Sequence, residues 1–116
     1  MNDVTIYHNP RCSKSRQTLA MIRDKGIEPT IILYLEDVPN SDKIKELLSK
    51  LGLAAGDILR TGEADYKAHM ASAATLDDDA IIALMTRYPK LIERPIVTCG
   101  DKAVIGRPPE TVLTLF

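Results

Sequence analysis

The chain is poor in cysteine, with only Cys12 and Cys99, far apart in sequence. Neither a disulfide framework nor a metal-ligand spacing can be drawn from such a pair. Long hydrophobic runs are absent too, and none approaches the ~18 residues of a membrane span. The opening Met1-Asn2-Asp3 lacks a basic stretch leading into an apolar one, so no secretion signal is expected. No charge sign dominates: 15 Lys and Arg face 16 Asp and Glu, for a net charge of -1. That balance argues against bulk electrostatic binding to nucleic acid or to an anionic membrane. Any anion site must therefore be local. Repeats, low-complexity segments and domain linkers are lacking. A cytoplasmic location is expected, where a lone conditioned cysteine points to chemistry more than to structure.

What is present is the material of one domain. At 116 residues the chain can bury a core without staples. Hydrophobic residues make up 45% and charged residues 27%, an ordinary globular balance. Residues 4–8 read as a strand. Residues 13–25 read as a helix with Leu19 and Ile22 inward, and Gly26 stops it. The continuous apolar run Thr30-Ile31-Ile32-Leu33-Tyr34-Leu35 reads as a strand buried on both faces. Strand, helix and strand at this spacing predict a βαβ unit with parallel strands.

Pro39-Asn40-Ser41 opens a second helix with Ile44, Leu47, Leu48 and Leu51 in one stripe, ended by Gly52. Residues 54–60 read as a short helix carrying Ile58 and Leu59 and delivering Arg60 at its end. Thr61-Gly62 is a break, and residues 63–73, with His69, are weakly patterned. Thr75-x-x-Asp78 resembles a capping box before a helix bearing Ile81, Ile82, Leu84 and Met85. Tyr88-Pro89 terminates that helix. Ile96–Cys99 and Lys102–Ile105 flank Gly100-Asp101 as a hairpin. Pro109 then sits in the first turn of a short C-terminal helix.

The order βαβ, helical insertion, ββα is that of a thioredoxin-like α/β domain. Its sheet is expected to be four-stranded and mixed, flanked by helices on both faces. The expectation is one domain over 1–116, with the helical insertion at about 40–90. In that fold the first strand-to-helix turn lies beside the loop before the hairpin. Here the two carry Cys12 and Arg94-Pro95, and a cis peptide is expected at Pro95.

Cys12 stands at the start of the first helix, in Tyr7-His8-Asn9-Pro10-Arg11-Cys12-Ser13-Lys14-Ser15-Arg16. Unpaired amides and the positive end of the helix dipole favour thiolate over thiol there. Arg11, Lys14 and Arg16 add positive charge, and His8 is a further candidate cation. Each such neighbour lowers a free-cysteine pKa of ~8.5. Arg60, Arg94 and Arg107 are three arginines at separate turns. Guanidinium forks match tetrahedral oxyanions bidentately, so the three suit a shared anion pocket.

The pieces Tyr7-His8-Asn9-Pro10-x-Cys12, Leu33-Tyr34-Leu35-Glu36, Leu59-Arg60, Arg94-Pro95-Ile96-Val97 and Arg107-Pro108 follow one another in a telling order. Together they resemble the glutaredoxin-dependent arsenate reductases, the ArsC-like family of the thioredoxin fold, across essentially the whole chain. The segment Thr61-Gly62-Glu63-Ala64 and the end at Phe116 are closer to a compact, chromosomal branch than to the longer plasmid-borne reductases. The resemblance implies that the Cys12 thiolate attacks arsenate and displaces water or hydroxide. Glutathione, a co-substrate and not a bound cofactor, then reduces the adduct to arsenite, and glutaredoxin reduces the mixed disulfide. It also implies that Arg60, Arg94 and Arg107 hold the oxyanion and that His8 helps to lower the Cys12 pKa. Ser15 and Pro95 are supporting residues, and no metal is implied.

Blander readings stand beside these. His8 could end the strand with a backbone hydrogen bond. Arg60 could be an exposed helix-end cation, and Arg94 and Arg107 could be ordinary surface arginines. Ser15 could stabilise the helix start or donate to the thiolate. Cys99 reads as core, and Glu36 and Asp37 as strand-end solvation. The competing functional class is a thiol-based redox regulator or binding protein of the same fold, acting through Cys12. Such regulators typically carry Cys-x-x-Cys; here the fourth position is Ser15, which points to an external thiol.

Overall fold

The computed structural model describes residues 4–60, 64 and 77–116. Thr61-Gly62, His69 and Thr75 lie outside them, as does the 63–73 segment apart from Ala64. The contacts sort into two compact units, Met1–Asp37 with Arg94–Phe116, and Val38–Glu93.

The first unit holds the strands β1 (Val4–His8), β2 (Thr30–Leu33), β3 (Ile96–Cys99) and β4 (Lys102–Ile105), and the helix α1 (Ser13–Asp24). Among the described residues they form a four-stranded sheet in the order β2-β1-β3-β4. β1 pairs with β2 in parallel, and with β3 antiparallel. β3 and β4 form the expected hairpin, turning at Gly100 with a left-handed φ of 62°. This mixed sheet with flanking helices is the thioredoxin-like arrangement anticipated from the element order. Val4, Ile6 and Val97 are buried on one sheet face. Leu19 and Ile22 of α1 and Val112 of the C-terminal segment close over them. That segment, Pro109–Leu115, is a 3-10 helix with Pro109 in its first turn.

One expectation for this unit is overturned. β2 is not buried on both faces: Thr30 and Ile31 are exposed, and Ile32 and Leu33 are half-buried. It ends at Leu33, and Tyr34 is buried within the following turn. The physical reason is position in the sheet. β2 is an edge strand, whereas β1 and β3 are central, and an apolar run does not distinguish edge from centre.

In the second unit α2 (Ser41–Leu51) starts at Asn40, whose side chain accepts the Lys43 N–H, and ends at Gly52 with φ 70°. α3 (Asp78–Arg87) buries Ile81, Ile82 and Met85. Its cap is Asp77, which accepts from the Ala80 N–H at 2.8 Å, so the helix begins later than a Thr75 cap would place it. Residues 54–60 do not form an α-helix. A 3-10 turn covers Ala55–Ile58, and Leu59 then bridges to Ile92. Arg60 therefore follows the bridge outside any helix, its N–H on the Leu91 carbonyl at 2.7 Å, and the helix-end reading of this residue falls.

Candidate active site around Cys12

Sheet register explains why the polar residues of the first unit gather. Tyr7, near the end of β1, pairs with Ile96 at the start of β3, and Ile96 pairs with Ile105 at the end of β4. Three chain segments thus meet at one sheet end: the turn after His8, Arg94-Pro95 before β3, and Gly106-Arg107 after β4. The peptide bonds Arg94–Pro95 and Arg107–Pro108 are both cis; the first was expected from the element order and the second was not.

The turn is built by Asn9. Its carbonyl accepts the Cys12 N–H at 3.0 Å, and its side-chain oxygen accepts the Arg11 N–H at 3.0 Å. Cys12 then occupies the N-cap of α1 in extended conformation, with no side-chain cap hydrogen bond. Partial burial pushes the Cys12 thiol up, but hydrogen bonding from the Ser15 amide, the Arg94 side chain and the Lys14 amide, with the Arg94 charge, favours the thiolate. The balance holds the thiol below its ordinary value. Arg107 reaches the same atom, its Nη2 being 3.9 Å from Sγ, while its Nε donates to the Arg94 carbonyl at 2.9 Å. One arginine thus braces the backbone of the other.

Two details differ from the sequence expectation. The side-chain charges of Arg11, Lys14 and Arg16 are not among the groups that lower the thiol; Lys14 acts through its backbone N–H. Arg16 is instead turned to the Pro10 carbonyl at 2.8 Å. Burial, followed by the charges of Arg23 and Arg16, lowers the His8 pKa and favours the neutral imidazole over the cation. Its Nδ1 meets the Ser15 hydroxyl at 2.6 Å, and that hydroxyl also accepts the Asn9 N–H at 3.0 Å. Ser15 is fully buried. Its hydroxyl fastens the turn while its own N–H serves the sulfur, so the two readings of this residue divide between side chain and backbone.

Arg60 belongs to the second unit, where its guanidinium forms an ion pair with Glu93. Cys99 is half-buried against the core cluster and pairs with Val4, at the opposite end of β1 from the turn that carries Cys12. Four strand steps separate Val4 from His8, about 13 Å at ~3.3 Å each. A Cys12–Cys99 disulfide needs Cα atoms within ~7 Å and is ruled out in this fold.

Two residues escaped the sequence reading. Thr18 is fully buried within α1, and its hydroxyl donates to the Lys14 carbonyl at 2.8 Å and leans toward the Gly106 carbonyl at 3.4 Å. Gly106 donates its N–H to the Pro95 carbonyl at 2.9 Å. A threonine on the apolar stripe of a helix was the available signal. Among the described residues no group of three or more His, Cys, Asp or Glu side chains could hold a metal ion.

The sequence matches the ArsC family over residues 7–115. It is 46% identical to the uncharacterized protein YfgD of Escherichia coli strain K12, over 97% of this chain and 95% of that one. It is 44% identical to an arsenate reductase of Haemophilus influenzae, over 97% of this chain and 98% of the relative. The fold superposes on the arsenate reductase of Vibrio cholerae with a TM-score of 0.95 at 47% identity, covering 99% and 98% of the two chains.

Proposed function

We propose that this chain, which belongs to the ArsC family, reduces arsenate to arsenite through a Cys12 thiolate, with glutathione and glutaredoxin as external reductants. The observation that carries the reading is Cys12 at the N-cap of α1, with the Arg107 Nη2 at 3.9 Å from its sulfur and the thiol lowered by the Ser15 and Lys14 amides and Arg94. Such a site stabilises a thiolate and, above it, a tetrahedral oxyanion.

Arsenate is largely dianionic at neutral pH. Arg94 and Arg107 bind two of its oxygens and neutralise charge while the thiolate forms the sulfur–arsenic bond and the arsenic–oxygen bond breaks, releasing hydroxide, which leaves as water on taking a proton from solvent. Glutathione thiolate then attacks the Cys12 sulfur and breaks that bond. The two electrons of the bond pass to arsenic, As(V) becomes As(III), and arsenite departs. The two sulfurs remain joined as a Cys12–glutathione disulfide, which glutaredoxin reduces. The family resemblance adds Arg60 to the oxyanion ligands. His8 and Ser15 support the turn, and Pro95 holds Arg94 at the start of β3.

The competing reading, a redox regulator switching through an internal disulfide, lacks its partner. Ser15 occupies the position of a resolving cysteine, and Cys99 lies at the wrong end of β1. Intact mass spectrometry tests the scheme. Incubation with arsenate and glutathione, without glutaredoxin, should accumulate a glutathione adduct on Cys12 that glutaredoxin removes. An adduct that forms equally without arsenate, or none at all, would sink it.

A further inference from the structure

We propose that Gly106 is a positioning residue, a spacer whose missing side chain sets the distance between α1 and the arginines beside Cys12. The inference rests on the reading of Cys12 as a thiolate in an anion pocket, and extends it to how that pocket is dimensioned. A Cβ at residue 106 would stand 2.6 Å from the Thr18 Oγ1, 2.9 Å from the Pro95 Cγ and 3.0 Å from the Thr18 Cγ2. Contacts this short force something to shift. The φ of Gly106 is not in the left-handed region, unlike those of Gly26, Gly52 and Gly100. Space, not backbone conformation, therefore demands glycine here.

The geometry links this contact to the site at both walls. Thr18 stands on α1, whose N-cap residue is Cys12. Pro95 follows Arg94, and Gly106 precedes Arg107, so each arginine is bonded to one member of the contact. The Gly106 N–H on the Pro95 carbonyl and the Arg107 Nε on the Arg94 carbonyl tie the two segments together. A side chain at 106 pushes this pair off α1, and the guanidinium groups move with it. Arg107 is exposed, with its Nη2 3.9 Å from the sulfur, so its guanidinium follows any shift of the segment that carries it.

The test compares alkylation of Cys12 by iodoacetate and by iodoacetamide in a Cys99→Ser background, with folding followed by circular dichroism. The rate ratio of anionic to neutral reagent reads the cations around the sulfur and needs no arsenate. Failure of the arsenate reading would appear separately, as absent turnover by the parent. Gly106→Ala should lower the ratio by on the order of threefold or more, toward the value of Arg107→Ala, because Coulomb attraction falls with distance. Adding Thr18→Ala removes one wall and should restore the ratio toward the parent. A folded Gly106→Ala protein with the parent's ratio would overturn the spacer, as would a double variant no better than the single. Should Gly106→Ala alone not fold, the double variant decides. A folded double variant with parent-like selectivity supports the spacer, and one that stays unfolded or unselective overturns it.

Discussion

His8 and Ser15 share a 2.6 Å hydrogen bond inside the turn that carries Cys12. The hydroxyl already accepts the Asn9 N–H, so it is placed to donate to a neutral imidazole. A protonated His8 would reverse that bond, and Arg16 and Arg23 oppose the charge. The unfolded chain therefore takes up this proton at higher pH than the folded one. Below the ordinary imidazole value of about 6.5 the unfolded state binds more protons, so stability falls as the pH falls. Thermal melts from pH 7.5 to 5.5 should show this slope, reduced in His8→Asn. An identical slope in both proteins would assign it to another group.

The Cys12 thiol should titrate below ~8.5. Thiolate absorbance against pH in a Cys99→Ser protein measures it directly. Arg94→Ala should raise the value, because Arg94 both hydrogen-bonds the sulfur and acts on it through its charge. A parent pKa at or above that of a free cysteine would remove the activated thiolate.

The arginines should differ in weight. Arg94→Lys keeps a charge and loses the fork, and should still lower kcat/KM for arsenate. A charged hydrogen bond is worth about 1.5–3 kcal/mol, or roughly one to two decades. Arg107→Ala should be comparable. Arg60 is held by Glu93 within its own unit, and its substitution should be the mildest of the three. A fully active Arg94→Ala protein would take the clamp out of the mechanism.

Much of this was legible in the sequence, for physical reasons that differ by residue. The Asn9-Pro10 turn, Gly26, Gly52 and Gly100 punctuate the chain locally, and local signals survive folding. The exposure of β2 was not legible, because edge or centre is decided by β3 and β4, more than sixty residues later. The lowered pKa of His8 was hidden for a similar reason. Sequence shows nearby cations, but not the burial that reinforces them or the Ser15 hydroxyl that receives the ring. Gly106 reads as one more turn glycine until Thr18 and Pro95 are seen on either side of it.

The two cysteines should separate cleanly. Cys99→Ser should leave most arsenate turnover, since β1 lies between that residue and the site. Cys12→Ser should abolish it. Equal loss in both would replace external glutathione with an internal relay and contradict the sheet register.

The most direct measurement is a coupled assay of NADPH oxidation with the purified chain, glutathione, glutaredoxin and glutathione reductase. The account predicts oxidation that depends on arsenate, requires every component and disappears in Cys12→Ser. Oxidation indifferent to arsenate, or undiminished in Cys12→Ser, would contradict it.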